Sequence, residues 1–257
     1  MHSALGNIGN EVAPMMDVHV TNKTYHKGAP SIIQNLDFEV KDGEFLAIVG
    51  PSGAGKSTLL NLIAGIDTKF EGHIRFNTLE TRSSNLSIMF QEPRLMPWLN
   101  LQENVCLVSD SPKSTLAINR AAELLETVGI TGSPEQYPGQ LSGGMQRRVA
   151  LARTLMADPD ILLLDEPLVS LDQPAAMALR ELLLRVWRAR KCTVIYVTHQ
   201  LEEAVVLADR ILFLSTSPTS IIREEIIDLP RPRRTQDVDA VKHGICKRAG
   251  LLSGRLA

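Results

Sequence analysis

Gly50-Pro51-Ser52-Gly53-Ala54-Gly55-Lys56-Ser57-Thr58 decides the reading of this chain. It follows the apolar run Phe45-Leu46-Ala47-Ile48-Val49 and opens into Leu59-Leu60-Asn61-Leu62-Ile63-Ala64. That order is strand, glycine-rich loop, helix, and the spacing fits G-x-x-x-x-G-K-[ST], the phosphate-binding loop. Polyphosphate needs donors that cost little to pre-orient. Glycines let consecutive backbone N–H groups turn inward into a concave anion nest. A helix starting near Lys56 adds unpaired N–H groups and the positive end of its dipole. Lys56 is placed to reach the β- and γ-phosphates, and the Ser57 hydroxyl to bind Mg²⁺. A chance glycine turn is the competing reading; a strand on one side and a helix on the other weigh against it.

Composition bounds the rest. The 257 residues can bury a full core in one large domain or two small ones. A formal net charge of -2 gives no basic field for nucleic acid. No apolar run approaches the ~20 residues needed to span a bilayer. Residues 1–15 read as a flexible lead-in without the basic and apolar regions of a secretory signal. Cys106, Cys192 and Cys246 are odd in number and far apart. They point to a reducing compartment and away from a disulfide framework or a metal site. Any membrane role is therefore expected to run through a partner.

Short β-type runs fill Asp17 to Val49, at Val18–Val20, Ile32-Ile33 and Leu36–Val40. Gly72–Phe76 reads as a strand, and Ser87–Phe90 as a buried one. Helical spacing covers Asn119 to Val128, stopped by Gly129, and Ser142 to Met156. Ile161–Leu164 is a continuous apolar strand of the kind covered on both faces. A helix over Pro174–Arg188, a strand over Cys192–Val197, a helix over Leu201–Ala208 and a strand over Arg210–Leu214 follow. This alternation predicts a parallel α/β sheet. The segment from Leu229 to residue 257 reads as a short basic tail, with Pro230-Arg231-Pro232-Arg233-Arg234 at its head.

Several strand ends carry polar groups suited to a nucleotide. Asp165-Glu166 ends the Ile161 strand, and ligands of open α/β sheets bind beyond the carboxyl ends of strands. Asp165 is expected to hold Mg²⁺, and Glu166 to orient or deprotonate the attacking water. On its own such a pair is more often a solvated helix start; the glycine loop reverses that weighting. Ser57 and Asp165 lie 108 residues apart, room for an inserted subdomain. His199 follows a second apolar strand, as a γ-phosphate contact or a structural histidine. Gln91 follows a third and could coordinate Mg²⁺ without adding charge. Tyr25 could stack on adenine or simply pack at the surface. Leu141-Ser142-Gly143-Gly144-Met145-Gln146 opens the helix of Gln146–Arg153 with free N–H groups and a hydroxyl. The plain reading is an N-capped helix; a nucleotide shared between subunits would give this second anion site a purpose.

Together these residues resemble the ATPase subunit of an ATP-binding cassette (ABC) transporter, over about Asp17 to Arg234. Tyr25 matches the adenine-stacking aromatic, Gly50 to Thr58 Walker A, and Gln91 the Q-loop. Leu141 to Gln146 matches the signature, Ile161 to Glu166 Walker B, Ser170-Leu171-Asp172 the D-loop, and His199 the switch histidine. Met145 departs from the glutamine of many members. Gln91–Trp98 and Leu229–Arg234 are similar to the nitrate, sulfonate and taurine importer branch. The resemblance implies a P-loop NTPase-type, mostly parallel sheet with an N-terminal antiparallel β subdomain. The ATPase domain would span 16–228, with a helical subdomain inserted at about 92–157. It implies ATP and Mg²⁺ as cofactors, with Ser57, Gln91 and Asp165 on the metal, and Glu166, His199 and Gln91 in catalysis. It also implies a head-to-tail dimer with a second copy or a paralogous subunit, in which Ser142, Gly143, Gly144, Gln146 and Asp172 reach ATP held by the other subunit. Integral-membrane permease subunits would dock at about 92–99 and a solute-binding protein would act indirectly, with no nucleic acid. The expected location is the cytoplasmic face of the inner membrane, as a peripheral subunit.

Other ATPases sharing parts of this set fit less well. Chromosome-maintenance and repair ATPases need a long coiled-coil insertion, and no heptad run lies between Ser57 and Asp165. Translation-factor ATPases of the same superfamily carry two cassettes in one chain. A small-molecule kinase with only the glycine loop leaves Ser142-Gly143-Gly144 and His199 unexplained. Export remains a further alternative to import.

Overall fold

The computed structural model describes residues 14–26, 28–77, 85–130 and 132–248. Most of the expected lead-in (1–13) and the end of the expected tail (249–257) lie outside them. In chain order the elements are β1 (Met16–Lys23), β2 (Ile33–Val40), β3 (Phe45–Val49), α1 (Lys56–Ile63), β4 (Glu71–Phe76) and β5 (Leu86–Met89). Next come α2 (Leu101–Cys106), α3 (Thr115–Thr127), α4 (Gly143–Met156), β6 (Ile161–Asp165) and α5 (Gln173–Arg190). β7 (Thr193–Thr198), α6 (Leu201–Leu207), β8 (Arg210–Leu214), β9 (Ile221–Ile226) and α7 (Thr235–Arg248) complete the fold.

Two sheets form. β2-β1-β4 is antiparallel; β5-β6-β7-β3-β8-β9 is parallel except for β9, which runs antiparallel to β8 at the edge. Side chains alternate between faces along a strand, so each all-apolar strand of the larger sheet feeds two cores. Leu46, Ile48, Leu163, Ile195, Val197 and Leu212 face α1 and the small sheet, whose inward residues are Met16, Val18, Val20, Leu36 and Val40. Phe45, Ala47, Val49, Leu162, Leu164, Val194 and Tyr196 face α4, α5 and α6. Full burial of one such aliphatic or aromatic side chain contributes on the order of 1.5–3 kcal/mol. The mostly parallel sheet and the N-terminal antiparallel one agree with the expected fold class. α2, α3 and α4, which lie between β5 and β6 in chain order, pack on one another.

Lys23, fully buried at the end of β1, donates to Asp67 Oδ2 at 2.5 Å and to the Lys69 carbonyl at 2.8 Å. It ties the small sheet to the segment leaving α1. The expectation of a buried strand at Ser87–Phe90 is corrected. Among the described residues β5 pairs only with β6, and its residues are half-buried except Met89. An apolar run reports hydrophobicity, not how many neighbours the strand acquires. α3 begins at Thr115, earlier than the apolar spacing suggests, because Ser114 accepts from the Ala117 N–H and caps it. The basic tail also contains a helix: Val238 and Ile245 of α7 are buried against the core.

Candidate nucleotide site

The sheet order assembles the site. β5, β6, β7 and β3 are parallel neighbours, so their carboxyl ends line one edge. Gln91, Asp165-Glu166, His199 and Gly50 follow those four ends in that order, although they are far apart in the chain. A cavity of about 440 Å³ opens there, lined by the 52–58 loop together with Gln91 and Glu166. Gly55 is the N-cap of α1 at φ 69, a left-handed conformation that glycine adopts without strain. A Cβ there would meet Thr219 Oγ1 at 2.5 Å, and that hydroxyl donates to the Ala54 carbonyl at 2.9 Å.

A long charged side chain is ordinarily solvated, but that of Lys56 is turned into the protein. It is buried, and Nζ donates to the Gly50 and Pro51 carbonyls at 2.8 and 2.9 Å. Nζ also lies 3.5 Å from Glu166 Oε1. A buried ammonium takes the oxygen partners within reach, because leaving its charge unpaired costs several kcal/mol.

Asp165 is 7% exposed, and its Oδ1 has no hydrogen-bond partner among the described residues. Burial pushes its carboxyl above the ordinary carboxylate range, against the pull of the Ser57 hydroxyl, and nearby Glu166 adds to the rise. A buried carboxylate oxygen without a donor, next to a serine hydroxyl, is an all-oxygen environment of the kind Mg²⁺ prefers. The donor set therefore fits the metal.

Glu166 adopts φ 43, uncommon outside glycine, at the point where β6 ends. Strained backbone of this kind clusters at functional sites. Its N–H donates to the Val197 carbonyl at 3.0 Å, which fixes the turn. Its carboxylate lies between Lys56 on Oε1 and His199 Nδ1 at 3.2 Å on Oε2. The carboxylate and imidazole suggested separately by two strand ends are thus in direct contact.

Tyr25 is exposed, and its hydroxyl is 3.0 Å from Thr58 Oγ1. It lines a second cavity of about 510 Å³ that shares Ile32 and Ser217 with the phosphate cavity. A flat aromatic wall beside a phosphate nest suits a base attached to a polyphosphate. Sequence reasoning missed Ile32, Ser217 and Thr219. The last two lie in the β8–β9 turn, and the unforeseen β9 left no signal to bring that turn to the site.

The structure does not bring Ser142, Gly143, Gly144, Gln146 or Asp172 to this cavity. Ser142 caps α4 by accepting from Met145 N–H, and Asp172 caps α5 by accepting from Ala175 N–H at 2.8 Å. A Cβ on Gly144 would lie 3.5 Å from Leu171 Cδ2 and 3.7 Å from Ala175 Cβ, so the two helix starts adjoin. Gln146 is engaged with its own loop, donating to Pro138 O at 3.0 Å. The stretch after Gln91 is pinned by residues the sequence did not flag. Buried Asn104 bonds Met96 N–H and the carbonyls of Met96, Leu99 and Asn100. Arg153 of α4 donates to the Pro93 and Arg94 carbonyls. Trp98 projects from this fixed loop at 71% exposure.

Comparison with known proteins agrees with this geometry. The family described as ABC transporter matches residues 33–169. The aliphatic sulfonates import ATP-binding protein SsuB of Bacillus licheniformis is 42% identical over 228 residues, 87% of this chain and 89% of that protein. SsuB of Bacillus subtilis is 39% identical, covering 84% and 86% respectively. A dimeric ATP-binding cassette in a post-hydrolysis state bound to ADP and Pi superimposes with TM-score 0.73 at 30% identity, covering 84% of this chain and all of that one. A dimeric bacterial ABC transporter cassette gives 0.72 at 31% identity. No helix among the described residues is long and apolar enough to cross a membrane. The chain belongs to the ABC transporter family, as one of its ATP-hydrolysing subunits.

Proposed function

We propose that this subunit drives import of aliphatic sulfonates or closely related anions. It would act as a peripheral protein on the cytoplasmic face of the membrane, coupled to permease subunits and, through them, to a solute-binding protein. The 42% identity to an SsuB along nearly the whole length of both chains supports the substrate class. Exposed Trp98 on a pinned loop directly after Gln91 supports residues 92–99 as the permease contact, since large aromatic groups held at the surface favour partner interfaces. The functional unit would be the domain 16–228 with its helical part at about 92–157.

The observation that carries the mechanism is the contact of Glu166 with both Lys56 and His199. When ATP enters, its phosphates are better partners for Lys56 than the Gly50 and Pro51 carbonyls, so Nζ turns into the nest and releases Glu166. The loop N–H groups and the N-terminus of α1 then hold the phosphates. Ser57, Asp165 and Gln91 would hold Mg²⁺, which would supply charge neutralisation at the phosphates. Glu166 takes a proton from the attacking water. His199 holds the Glu166 carboxylate and reaches the γ-phosphate. Tyr25 stacks on adenine.

Ser142, Gly143, Gly144, Gln146 and Asp172 would complete the site of a second copy or paralogous subunit in a head-to-tail dimer. Their separation from the cavity of their own subunit supports this. A Lys56→Ala subunit mixed with a Ser142→Arg subunit tests it. Heterodimers should trap one nucleotide each, since one composite site is intact and the other doubly damaged. Equal occupancy of both sites, or of neither, would refute assembly in trans.

A further inference from the structure

Leu229-Pro230-Arg231-Pro232-Arg233-Arg234 is left without a role by the mechanism above. Its composition is that of a solvated basic segment. Two of its arginines are instead turned into the protein. Arg233 donates from Nη1 to the Val205 and Ala208 carbonyls at 2.5 and 2.7 Å, from Nη2 to Ile227 O at 3.2 Å, and from Nε to Leu229 O at 3.1 Å. Arg231 donates from Nε and Nη2 to Leu207 O and from Nη1 to Asp209 Oδ1 at 2.6 Å, with its guanidinium 4.6 Å from the Trp187 ring centroid.

Val205 and Leu207 carry carbonyls of the last turn of α6, and Ala208 is its C-cap. That helix ends in extended backbone at Ala208, without a basic residue in its own last turn. Terminal carbonyls need donors and carry the negative end of the helix dipole. The tail supplies both. Burial, and then the charge of Arg231, lower the Arg233 guanidinium to about 10, so its place here is maintained at a cost.

The first turn of α6 is held equally firmly. Glu203 is buried, and its Oε2 accepts from the Tyr196 and Thr198 hydroxyls, each at 2.7 Å. Thr198 Oγ1 accepts in turn from Gln200 N–H at 3.0 Å. His199 stands between Thr198 and Gln200. α6 has only seven residues. A helix that short has little stability of its own, so its position is set by what it is tied to.

We infer that α6 is the support that aims the His199 imidazole at Glu166, with Glu203 fixing its first turn and Arg231 and Arg233 its last. These are positioning residues; none lines the phosphate cavity. The inference rests on the role of His199 proposed above.

The test uses the full-length protein with Glu203→Ala, Glu203→Gln, Arg233→Ala and Arg233→Lys, each also in a His199→Gln background. Steady-state ATPase activity is measured beside the NMR signal of the His199 Cε1–H, identified by its loss in His199→Gln. Both alanine variants should lower kcat about tenfold or more, since small misplacements of a catalytic group are costly, while KM stays within about threefold. Both should shift or broaden the His199 signal and leave those of His19 and His73 in place. Glu203→Gln should recover most activity, because its amide oxygen accepts from the same two hydroxyls. Arg233→Lys should not, because an ammonium cannot span four carbonyls. In the His199→Gln background the same changes should lower kcat less than about twofold. Should an alanine variant fail to fold, Glu203→Asp and Arg233→Lys carry the same readouts. An unmoved His199 signal, or an equal loss of activity with and without His199, would overturn the inference. Wild-type turnover in His199→Gln would instead overturn the catalytic role of His199, and its NMR signal would still decide the positioning.

Discussion

Replacing Glu166 by glutamine separates nucleotide binding from turnover. The amide keeps the size of the carboxylate and can still hydrogen-bond His199 Nδ1, now 3.2 Å from Oε2. Lys56 loses an ionic partner at 3.5 Å but keeps the Gly50 and Pro51 carbonyls. The destabilisation should therefore stay at about 1–2 kcal/mol, because the buried ammonium keeps two hydrogen-bonded carbonyls. The chemical step loses its base. General-base catalysis is worth roughly 10²–10⁴-fold, which at 1.36 kcal/mol per decade is about 3–5 kcal/mol of barrier. ATP affinity should hold or improve, because a negative charge beside the phosphates is gone. In the head-to-tail dimer proposed above, hydrolysis would reopen the interface, so an ATP-bound dimer should accumulate. Steady-state phosphate release, ATP titration and sizing chromatography with Mg-ATP read the three consequences. Turnover at the wild-type rate, or a protein that stays monomeric with ATP, would refute the role assigned to Glu166.

Asp165→Asn should abolish Mg²⁺-dependent turnover yet raise the melting temperature of the nucleotide-free protein. It removes a buried charge whose Oδ1 has no donor among the described residues, a gain of about 1–2 kcal/mol; a lower melting temperature would contradict that account. Trp98→Ala should leave ATP hydrolysis by the isolated subunit within about threefold but cost ~1–3 kcal/mol at the permease interface, read by co-purification. Normal assembly and transport would defeat the docking assignment. Asp67→Asn should destabilise the fold by about 2 kcal/mol at neutral pH, because Lys23 stays buried while its partner, itself a quarter exposed, loses its charge. The Lys23 hydrogen bond holds the Asp67 carboxyl below its ordinary value of 3.8. Its stabilisation is therefore present above 3.8 and lost as pH falls through the lower folded value. Urea titrations of both proteins should show the gap closing in that acid window, and a gap independent of pH would contradict the assignment.

The features legible from sequence are those written in contiguous residues. Gly50 to Thr58 specifies its own loop, because the glycines, the lysine and the following helix start act within one turn of each other. Asp165-Glu166 and His199 were legible because an apolar strand followed by a polar residue marks a carboxyl end. Ser142 and Asp172 each carry a local cap signal, and that signal reads the same whether or not a second subunit uses it.

Other decisions required the tertiary structure. Strand order was one: Gln91, Glu166, His199 and Gly50 became neighbours only because β5, β6, β7 and β3 pair in that sequence, through contacts between residues far apart in the chain. The edge position of β5 and the antiparallel β9 were invisible for the same reason, since hydrophobicity does not count a strand's neighbours. Burial was the other. Whether Lys56 is solvated or turned back onto Gly50 and Pro51, and whether Arg233 faces water or four backbone carbonyls, depends on which oxygens the fold brings within reach. A charge in the sequence fixes what a side chain can bind; only the packed chain decides what it meets.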